Sequence, residues 1–243
     1  MSKKIAIISG ASRGLGKEIA IALSKEQFKC VITYVNNIDK AHEVLQQIEE
    51  HGGEAIALKA DVGKFEDIEK LFEKVKQQFG KIDVVINTAG ISILKPLQDF
   101  YSKEFSKVVS TNIEGTFNIL HQAARYMEAH GRILTFSSNV VDTLPPHYSI
   151  YAASKSAVET MSKVFSKELR KRNITVNIIS PGPTGTDMFL EGKSPEVVEQ
   201  FAQLSPFERL GEPKDIINVV QFLVRPEAEW INGQVIKVNG GAN

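Results

Sequence analysis

The stretch that decides the fold is "IAIISGASRGLG", which spans residues 5–16. Its apolar run ends at Ser9, and a turn with glycines at positions 10, 14 and 16 follows. A pattern typical of an amphipathic helix begins at Leu15, inside the same turn. A strand that leads through a glycine-rich turn directly into a helix is the first half of a strand–helix–strand unit. This stretch therefore predicts a parallel sheet with crossover helices.

The same alternation of short apolar runs and helical patterns continues along the chain. The runs are apolar almost throughout, as expected for strands that helices cover on both faces. They lie at residues 5–9, 30–34, 55–59, 83–87, 132–137, 175–179 and 234–238, and helical patterns cover residues 15–26, 38–51, 65–79, 101–129, 151–172 and 213–223. We therefore expect an α/β protein with a doubly wound, seven-stranded parallel sheet, a Rossmann fold, and helices on both faces.

No change in composition divides the chain, so residues 1–243 are expected to form one domain. The longest stretch without a strand or helix pattern runs from residue 181 to about 211 and contains several prolines. A long loop inside a compact domain is usually functional or mobile. We therefore expect a functional insertion in this loop.

Composition argues against several classes of protein. Lys plus Arg and Asp plus Glu number 29 each, so no strong positive field for nucleic acid is expected. Cys30 is the only cysteine, which excludes an intrachain disulfide, and no His, Cys or Asp spacing predicts a metal site. The first residues lack a signal-peptide pattern, and no apolar run is long enough to cross a bilayer. We expect a cytoplasmic protein that binds no membrane.

The glycine turn has the position and composition of a dinucleotide-binding site. A helix N-terminus after the first strand attracts phosphate, and glycines let the backbone approach it closely. Enzymes that use NAD usually place a carboxylate at the end of the second strand, where this chain has Tyr34 and no acid before Asp39. Arg13 lies in the glycine turn and suits a 2′-phosphate. We predict NADP(H) as the preferred cofactor, with NAD(H) as the alternative.

A second motif, "YAASK" at residues 151–155, places a phenol and an ammonium group four residues apart. On a helix these side chains lie on one face, one turn apart. A cation about 4–5 Å from the phenol would lower the pKa of Tyr151 by about 2–3 pK units, from about 10 toward neutrality. The pair is therefore a candidate for general acid–base catalysis.

With these motifs the chain resembles the short-chain dehydrogenase/reductase family, and within it the 3-oxoacyl-[acyl-carrier-protein] reductases and related carbonyl reductases. Ser9 stands where the family usually has Thr, and Thr88 where a second Asn is common. Neither departure touches the reacting groups. The matching segments occur in order along the chain: "SGASRGLG" (9–16), "DV" (61–62), "NTAG" (87–90), Asn112, Ser138, "YAASK" (151–155), "SPGPTGTDM" (180–188) and "WINGQVIKVNGG" (230–241).

The resemblance implies catalytic roles for four residues. Tyr151 would give a proton to a carbonyl oxygen in reduction, or take one from an alcohol in oxidation. Lys155 would hold the nicotinamide ribose and lower the pKa of the tyrosine, and Ser138, thirteen residues before Tyr151, would bond the substrate oxygen. Asn112 would hold a water that links Lys155 to solvent. The implied activity is NADPH-dependent reduction of a ketone to a secondary alcohol.

The resemblance also implies which residues hold the cofactor. Asp61 and Val62 would contact the adenine, and residues 87–90 the adenosine ribose and the diphosphate. Residues 181–186 would contact the nicotinamide amide and the phosphates. The full set is Gly10, Ser12, Arg13, Gly14, Leu15, Gly16, Tyr34, Asn36, Asp61, Val62, Asn87, Ala89, Gly90, Tyr151, Lys155, Pro181, Gly182, Thr184 and Thr186.

Three loops supply the expected wall of a substrate pocket, and their residues are mostly apolar. We therefore expect a small-molecule carbonyl or alcohol substrate with an apolar arm, such as a β-keto ester or a diketone, rather than a sugar. Residues 181–211 would close over the pocket and exclude water. The wall residues are Ile91, Ile93 and Leu94; Val140, Leu144, His147 and Tyr148; and Met188, Phe189 and Leu190.

Three alternative functions stay open. In a 3-oxoacyl-[acyl-carrier-protein] reductase of fatty-acid synthesis, Arg172 and its basic neighbours could meet an acidic carrier protein, but no Lys or Arg follows Arg125 before "HGRI", so half of the docking surface is missing. A catalytically silent nucleotide-binding regulatory protein would not need the intact Ser138, Tyr151 and Lys155. A sugar-nucleotide epimerase or dehydratase normally carries a further C-terminal domain, which we do not expect after "NGGAN".

The helix that begins at Tyr151 predicts self-association. It carries two apolar stripes, and only one of them can face the sheet. Members of the resembled family pack their two long helices against a second subunit. We therefore expect a homotetramer, with a dimer as the alternative. The stripes are formed by Ala153, Ala157 and Val164, and by Val158, Met161, Phe165 and Leu169.

Overall fold

A computed structural model describes residues 3–242, except for the side chain of Met188. Its strands are β1 (Lys4–Ser9), β2 (Phe28–Tyr34), β3 (Glu54–Lys59), β4 (Val84–Asn87), β5 (Arg132–Phe136), β6 (Thr175–Pro181) and β7 (Val235–Val238). They form one parallel sheet in the order β3–β2–β1–β4–β5–β6–β7. The order reverses between β1 and β4, and sheets of this kind bind ligands beyond the carboxyl ends of the strands at that point.

Helices cover both faces of the sheet. The helices are α1 (Gly14–Lys25), α2 (Ile38–Glu50), α3 (Phe65–Phe79), α4 (Ser102–Val108), α5 (Gly115–Tyr126), α6 (Val140–Thr143), α7 (Ser149–Glu168), α8 (Asp187–Leu190), α9 (Pro195–Ala202) and α10 (Pro213–Leu223). Neighbouring residues of β1 point to opposite faces, so Ala6 and Ile8 join one core while Ile5 and Ile7 join the other. α1, α2 and α10 bury apolar residues in the first core, and α3 and α5 do so in the second. The predicted doubly wound fold is confirmed.

The helical pattern predicted over residues 101–129 is two helices joined by a π-helical turn at Val109–Glu114. The turn contains Asn112, and such turns are frequent at functional sites. α5 ends at Tyr126 rather than at residue 129. At this end the guanidinium of Arg172 donates to the carbonyl oxygens of Ala124, at 2.5 Å, and of Met127. It thereby satisfies carbonyl groups that a helix C-terminus leaves unpaired.

α7 ends at Glu168, although the helical pattern was predicted to extend to residue 172. Of the basic residues in this region, Arg170, Lys171 and Arg172 therefore lie beyond the helix. Lys171 and Asn173 have φ angles of 67° and 53°, values that no helix continues through. The guanidinium of Arg172 points back to the end of α5. Arg172 therefore has a structural role at the end of α5, and its part in a carrier-protein docking surface stays a prediction.

The stretch predicted as irregular, residues 181–211, contains α8 and α9. Ser194 caps α9 because its hydroxyl accepts from the backbone N–H of Val197, and Pro195 occupies the first turn. A Ser–Pro pair is typical of a helix start, so the sequence itself indicates α9 within the stretch predicted as irregular. The two ends of the stretch are joined, since Gly185 N–H donates to the carbonyl of Gly211 at 2.9 Å. We call residues 186–210 the lid.

Two kinds of feature are absent among residues 3–242. No helix there is long and apolar enough to cross a membrane, and no group of three or more His, Cys, Asp and Glu is placed to hold a metal ion.

The free thiol of Cys30 lies in the core, donates to the carbonyl of Ala20, and has its pKa raised by burial to about 12. Such a thiol is chemically inert.

Candidate active site

The glycine turn between β1 and α1 packs against the turn that follows β4. A Cβ at Gly10 would lie 2.9 Å from the Cα of Ala89, so a larger residue would push the two turns apart. Thr88 joins the turns because its hydroxyl donates to the carbonyl of Ser9 at 2.5 Å. Gly14 has a φ of +56°, and a Cβ there would meet no atom within 4 Å. The turn therefore leaves open space of the kind that a pyrophosphate fills.

A cavity of about 280 Å³ extends from this turn to the base of the lid. Ser12, Arg13 and Gly14 line it, in agreement with the prediction that they lie together, and so do Lys17 and Lys40, which sequence reasoning missed. Both lysines lie in the first turn of a helix, where the helix dipole disfavours a cation. Their placement in the sequence therefore indicates an anionic ligand. The other lining residues are Glu18, Glu43, Val44, Gly185, Thr186, Asp187 and Pro213.

Other predicted cofactor residues lie at the carboxyl ends of the strands and are held by the protein itself. Asn87 accepts from the hydroxyl of Ser9 at 2.5 Å, and Asp61 accepts from the N–H of Gly63 at 3.1 Å. Val62 was also predicted to contact the cofactor, but its side chain is buried in the core. Its backbone carbonyl accepts from the side-chain amide of Asn118. The end of β2 carries Tyr34, half-buried, and Asn36 is exposed beyond it.

Residues 181–184 approach the same edge from β6. The hydroxyl of Thr184 donates to the carbonyl of Gly182 at 2.9 Å. A Cβ at Gly182 would lie 2.7 Å from the Cα of Asn239, so this glycine is required for the close packing of the two segments. Leu15 is partly buried and packs against the core rather than into the cavity.

The side chains of Ser138 and Tyr151, which are thirteen residues apart in sequence, lie close enough for Ser138 to lower the pKa of Tyr151. Ser138 follows the end of β5, and Tyr151 lies in the first turn of α7. The neighbouring Ser137 donates its hydroxyl to Glu159 of α7 at 2.6 Å. Two hydroxyl groups therefore converge beyond the end of β5, where one oxygen atom of a substrate could contact both.

Lys155 lies one helical turn after Tyr151 and is buried, with 5% of its surface exposed. Its ammonium donates to the carbonyl of Phe136 at 2.8 Å and lies 5.8 Å from the centroid of the Tyr151 ring. A Cβ at Gly90 would come within 3.3 Å of this nitrogen, so glycine leaves the ammonium accessible from that side. The structure thus brings Ser138, Tyr151 and Lys155 together.

The pKa of Tyr151 is shifted upward, opposite to the lowering predicted from its spacing to Lys155. Burial raises the pKa of Tyr151 above its ordinary value, the hydrogen bond from Ser138 lowers it, and the nearby Tyr148 raises it. Burial also lowers the pKa of Lys155 from 10.5 to about 8. Loss of water around both groups therefore outweighs their attraction. The phenol of Tyr151 keeps its proton at neutral pH.

Asn112 joins the site from the π-helical turn, and its amide is fully used by the protein. Its oxygen accepts from the N–H of Ile91, and its nitrogen donates to the carbonyl of Ile91 and to the hydroxyl of Ser154, each at 2.9 Å. Both amide hydrogens are therefore engaged. Asn112 ties the loop after β4 to α7. The predicted role in holding a water would need its amide oxygen or a backbone group.

The predicted pocket wall is formed from loops that contact one another. The N–H of Lys95 donates to the carbonyl of His147 at 3.0 Å, which joins the loop after β4 to the loop before α7. Tyr148 is half-buried next to Tyr151, whereas His147 is exposed. In the lid, Phe189 stacks edge-on against Phe201 with 5.1 Å between ring centroids. The side chain of Met188 lies outside the described part of the structure.

This fold and site define an NAD(P)-dependent oxidoreductase that acts on CH–OH or carbonyl groups. A family model described as "Enoyl-(Acyl carrier protein) reductase" matches residues 10–243. The chain is 39% identical over 248 residues to a short-chain type dehydrogenase/reductase of Picea abies, covering 98% of this chain and 92% of that protein. The chain belongs to the short-chain dehydrogenase/reductase family.

Two further relatives are reductases. Versicolorin reductase 1 of Aspergillus parasiticus is 38% identical over 252 residues, covering 98% of this chain and 96% of that protein. The crystal structure of the angucycline C-6 ketoreductase LanV with bound NADP superimposes with a TM-score of 0.92 at 35% identity, covering 98% of this chain and 95% of that one. The chain is therefore similar over its whole fold to enzymes that reduce carbonyl groups.

The burial of Lys155 predicts a stability change with pH. A folded-state pKa of about 8 against 10.5 means that the charged ammonium destabilises the folded protein by about 3 kcal/mol at pH 7. The cost is present in full below pH 8 and is relieved as pH rises through 8–10.5. Lys155→Met also loses the charge-assisted bond to Phe136, worth about 1.5–3 kcal/mol, so we expect a net stabilisation of at most about 1.5 kcal/mol at pH 7.

Chemical denaturation of the protein without added cofactor, between pH 7 and 10, measures this difference. The advantage of Lys155→Met should shrink as pH rises. Lys163→Met is the matched control, because Lys163 lies on the same helix and its side chain is 47% exposed beside Glu159. Its difference from the wild type should not change with pH. A Lys155→Met advantage that grew with pH would contradict the assignment.

Proposed function

We propose that this protein reduces a ketone with an apolar arm to a secondary alcohol, with NADPH as the preferred hydride donor. The observation that carries the proposal is the approach of the Ser138 hydroxyl to Tyr151, beside the buried ammonium of Lys155, which donates to the carbonyl of Phe136. Two hydroxyls that meet at one point can both contact a single carbonyl oxygen. This arrangement suits stabilisation of the negative charge that develops there.

Each residue of the site has a separate role in the proposed reduction. When bound, a nicotinamide cofactor would supply the hydride for the carbonyl carbon, and Lys155 and residues 181–186 would hold it. As the C–O π electrons move to oxygen, Tyr151 gives that oxygen its phenolic proton and Ser138 donates a hydrogen bond to it. The phenol of Tyr151 is protonated at neutral pH, as a proton donor must be. Lys155 then faces the resulting phenolate and stabilises its charge.

The preference for NADP(H) rests on the position of Arg13, Lys17 and Lys40 around one cavity. Three carboxylates, Glu18, Glu43 and Asp187, line the same cavity, so its side-chain charge is balanced overall. Lys17 lies 4.0 Å from Glu18, which leaves Arg13 and Lys40 as the cations that we assign to a 2′-phosphate. Arginine suits this ligand because its guanidinium binds phosphate oxygens in pairs. The NADP bound by LanV supports the assignment.

The substrate is proposed to be small and largely apolar. Leu94, Leu144 and Leu190 have 39%, 68% and 41% of their surface exposed, as expected for a pocket wall that no ligand covers. The lid would close over them and exclude water. Relatives that are named for the reduction of versicolorin and of an angucycline support an apolar, oxygen-bearing ketone. A β-keto ester or a diketone is the small representative of that class.

Two acyl substrates are alternatives. A carrier-linked 3-oxoacyl group is disfavoured because the guanidinium of Arg172 is used at the end of α5 and is not directed toward a partner. An enoyl group is named in the description of the matching family model. Reduction of an alkene also places charge on a carbonyl oxygen, so the site geometry alone does not separate the two reactions. A substrate comparison does.

Self-association is proposed as a homotetramer, with a dimer as the alternative. Val164 on α7 and Phe117 on α5 have 51% and 48% of their surface exposed, although both belong to helices that pack on the sheet. Exposed apolar side chains on such helices are typical of interfaces. Light scattering at micromolar concentration should give the mass of two or four chains. A monomer mass would contradict the proposal.

The first test compares substrates and removes the proton donor. NADPH oxidation should occur with a β-keto ester or a diketone and be slower with a 2-enoyl thioester. A free 3-oxoacyl thioester should react as well as the carrier-linked form. Tyr151→Phe should lower the rate by at least about 100-fold while NADPH still binds, since a positioned general acid contributes about 10²–10⁴-fold. A variant that retained a tenth of the wild-type rate would exclude Tyr151 as the donor.

The second test concerns the cofactor. Arg13→Ala should raise the KM for NADPH by about 10–100-fold and change the KM for NADH by less than about twofold, because a charge-assisted bond to phosphate contributes about 1.5–3 kcal/mol. Lys40→Ala should act in the same direction. Lys25→Ala, at the far end of α1, is the control and should change neither value. An equal effect of Arg13→Ala on both cofactors would show that Arg13 does not read the 2′-phosphate.

A further inference from the structure

Asn139 follows Ser138 directly and is 93% buried, since only 7% of its surface is exposed. Its side-chain nitrogen donates to the carbonyl of Ala242 at 2.5 Å, and its side-chain oxygen accepts from the amide of Asn239 at 3.1 Å. Its amide joins the end of β5 to residues 239–242, about a hundred positions later, which we call the C-terminal turn.

Ser138 lies between two backbone contacts with β6. Ser137 N–H donates to the carbonyl of Ile179 at 2.8 Å, and Asn139 N–H donates to the carbonyl of Pro181 at 2.9 Å. Beyond this point the chain bends into α6, and the carbonyl of Asn139 accepts from the N–H groups of Asp142 and Thr143. The Ser138 hydroxyl therefore sits on a bend. Its direction depends on what holds the far side of that bend.

The C-terminal turn is itself firmly held, so it can serve as an anchor. Within it, Asn239 accepts from Gly241 N–H at 3.1 Å, and its carbonyl accepts from Ala242 N–H at 3.1 Å. From outside, the hydroxyl of Ser205 in the lid donates to the carbonyl of Gly240 at 2.7 Å. The turn thus contacts both the lid and the bend that carries Ser138.

An ion pair from β7 also holds the bend on the side of the C-terminal turn. Lys237 pairs with Asp142 at 3.0 Å, but the two side chains are 45% and 39% exposed. Exposed ion pairs of this kind hold geometry weakly, because water screens them and long side chains lose entropy when they pair. The two buried bonds of Asn139 are better placed to hold the bend, since a buried amide that loses its partners is strongly disfavoured.

We propose that Asn139 is a positioning residue for the proposed active site: its buried amide fixes the bend after β5 to the C-terminal turn and so aims the hydroxyl of Ser138 at Tyr151. Asparagine suits the place because it offers one donor to Ala242 and one acceptor to Asn239. Aspartate would lack the donor, and alanine would lack both. The inference rests on the proposed function, because it assumes that Ser138 acts on the substrate.

The test is a double-mutant comparison that a purely structural role would not satisfy. Asn139→Ala should lower kcat by about tenfold or more, since small misplacements in active sites cost up to about 10²-fold, and should change NADPH affinity by less than about twofold. In a Ser138→Ala background the same substitution should cost less than about twofold, because the group that it aims is gone. Asn239→Ala, which removes one of the two bonds, should lower kcat less than Asn139→Ala does.

The matched control is Asn177→Ala. Asn177 is also buried, donates to the carbonyl of Ile231 at 2.7 Å and accepts from Gln234 N–H at 3.1 Å, but it lies within β6. Its loss should reduce stability and leave kcat within about twofold. An equal loss from Asn139→Ala with and without Ser138 would overturn the positioning role alone. Full activity of Ser138→Ala would overturn the proposed function and this inference with it. If Asn139→Ala does not fold, Asn239→Ala decides by the same comparison.

Discussion

The ammonium group of Lys155 is held inside the protein by one carbonyl oxygen, that of Phe136, at 2.8 Å. This bond fixes α7 against the end of β5, and much of the site depends on it. Ser138 lies two residues beyond Phe136, and Tyr151 lies one helical turn before Lys155, so the same contact brings both hydroxyls together. Ala152 and Ser154, on the same helix, are both small and buried.

The fold could be predicted from the sequence because strands covered on both faces appear as continuous apolar runs. All seven predicted strands occur in the sheet, and the helices that pack on it were found within a few residues. The ends of elements were less certain for a physical reason. The C-terminus of α5 is set by Arg172, which comes from a segment 45 residues after Met127. No local pattern contains that information.

The candidate site was predicted in its members but not in its electrostatics. The spacing of Tyr151 and Lys155 along a helix predicted that they share a face. A Coulomb argument then predicted a lowered pKa for the phenol of Tyr151. The structure adds burial, which raises the pKa of Tyr151 and lowers that of Lys155. Desolvation depends on the whole fold, so it could not be read from five residues. The bonds of Asn139 were hidden for the same reason, because their partners lie about a hundred residues away.

These two shifts also bear on the direction of the reaction. Oxidation of an alcohol would need Tyr151 as a phenolate, which becomes populated only as pH rises toward its raised pKa. Over the same range Lys155, with a pKa of about 8, loses the charge that would stabilise that phenolate. A charged half-buried Tyr148 would oppose it further. Reduction needs a protonated phenol beside a charged ammonium, and both conditions hold below about pH 8. At neutral pH the two residues are therefore in the protonation states that proton donation in reduction requires.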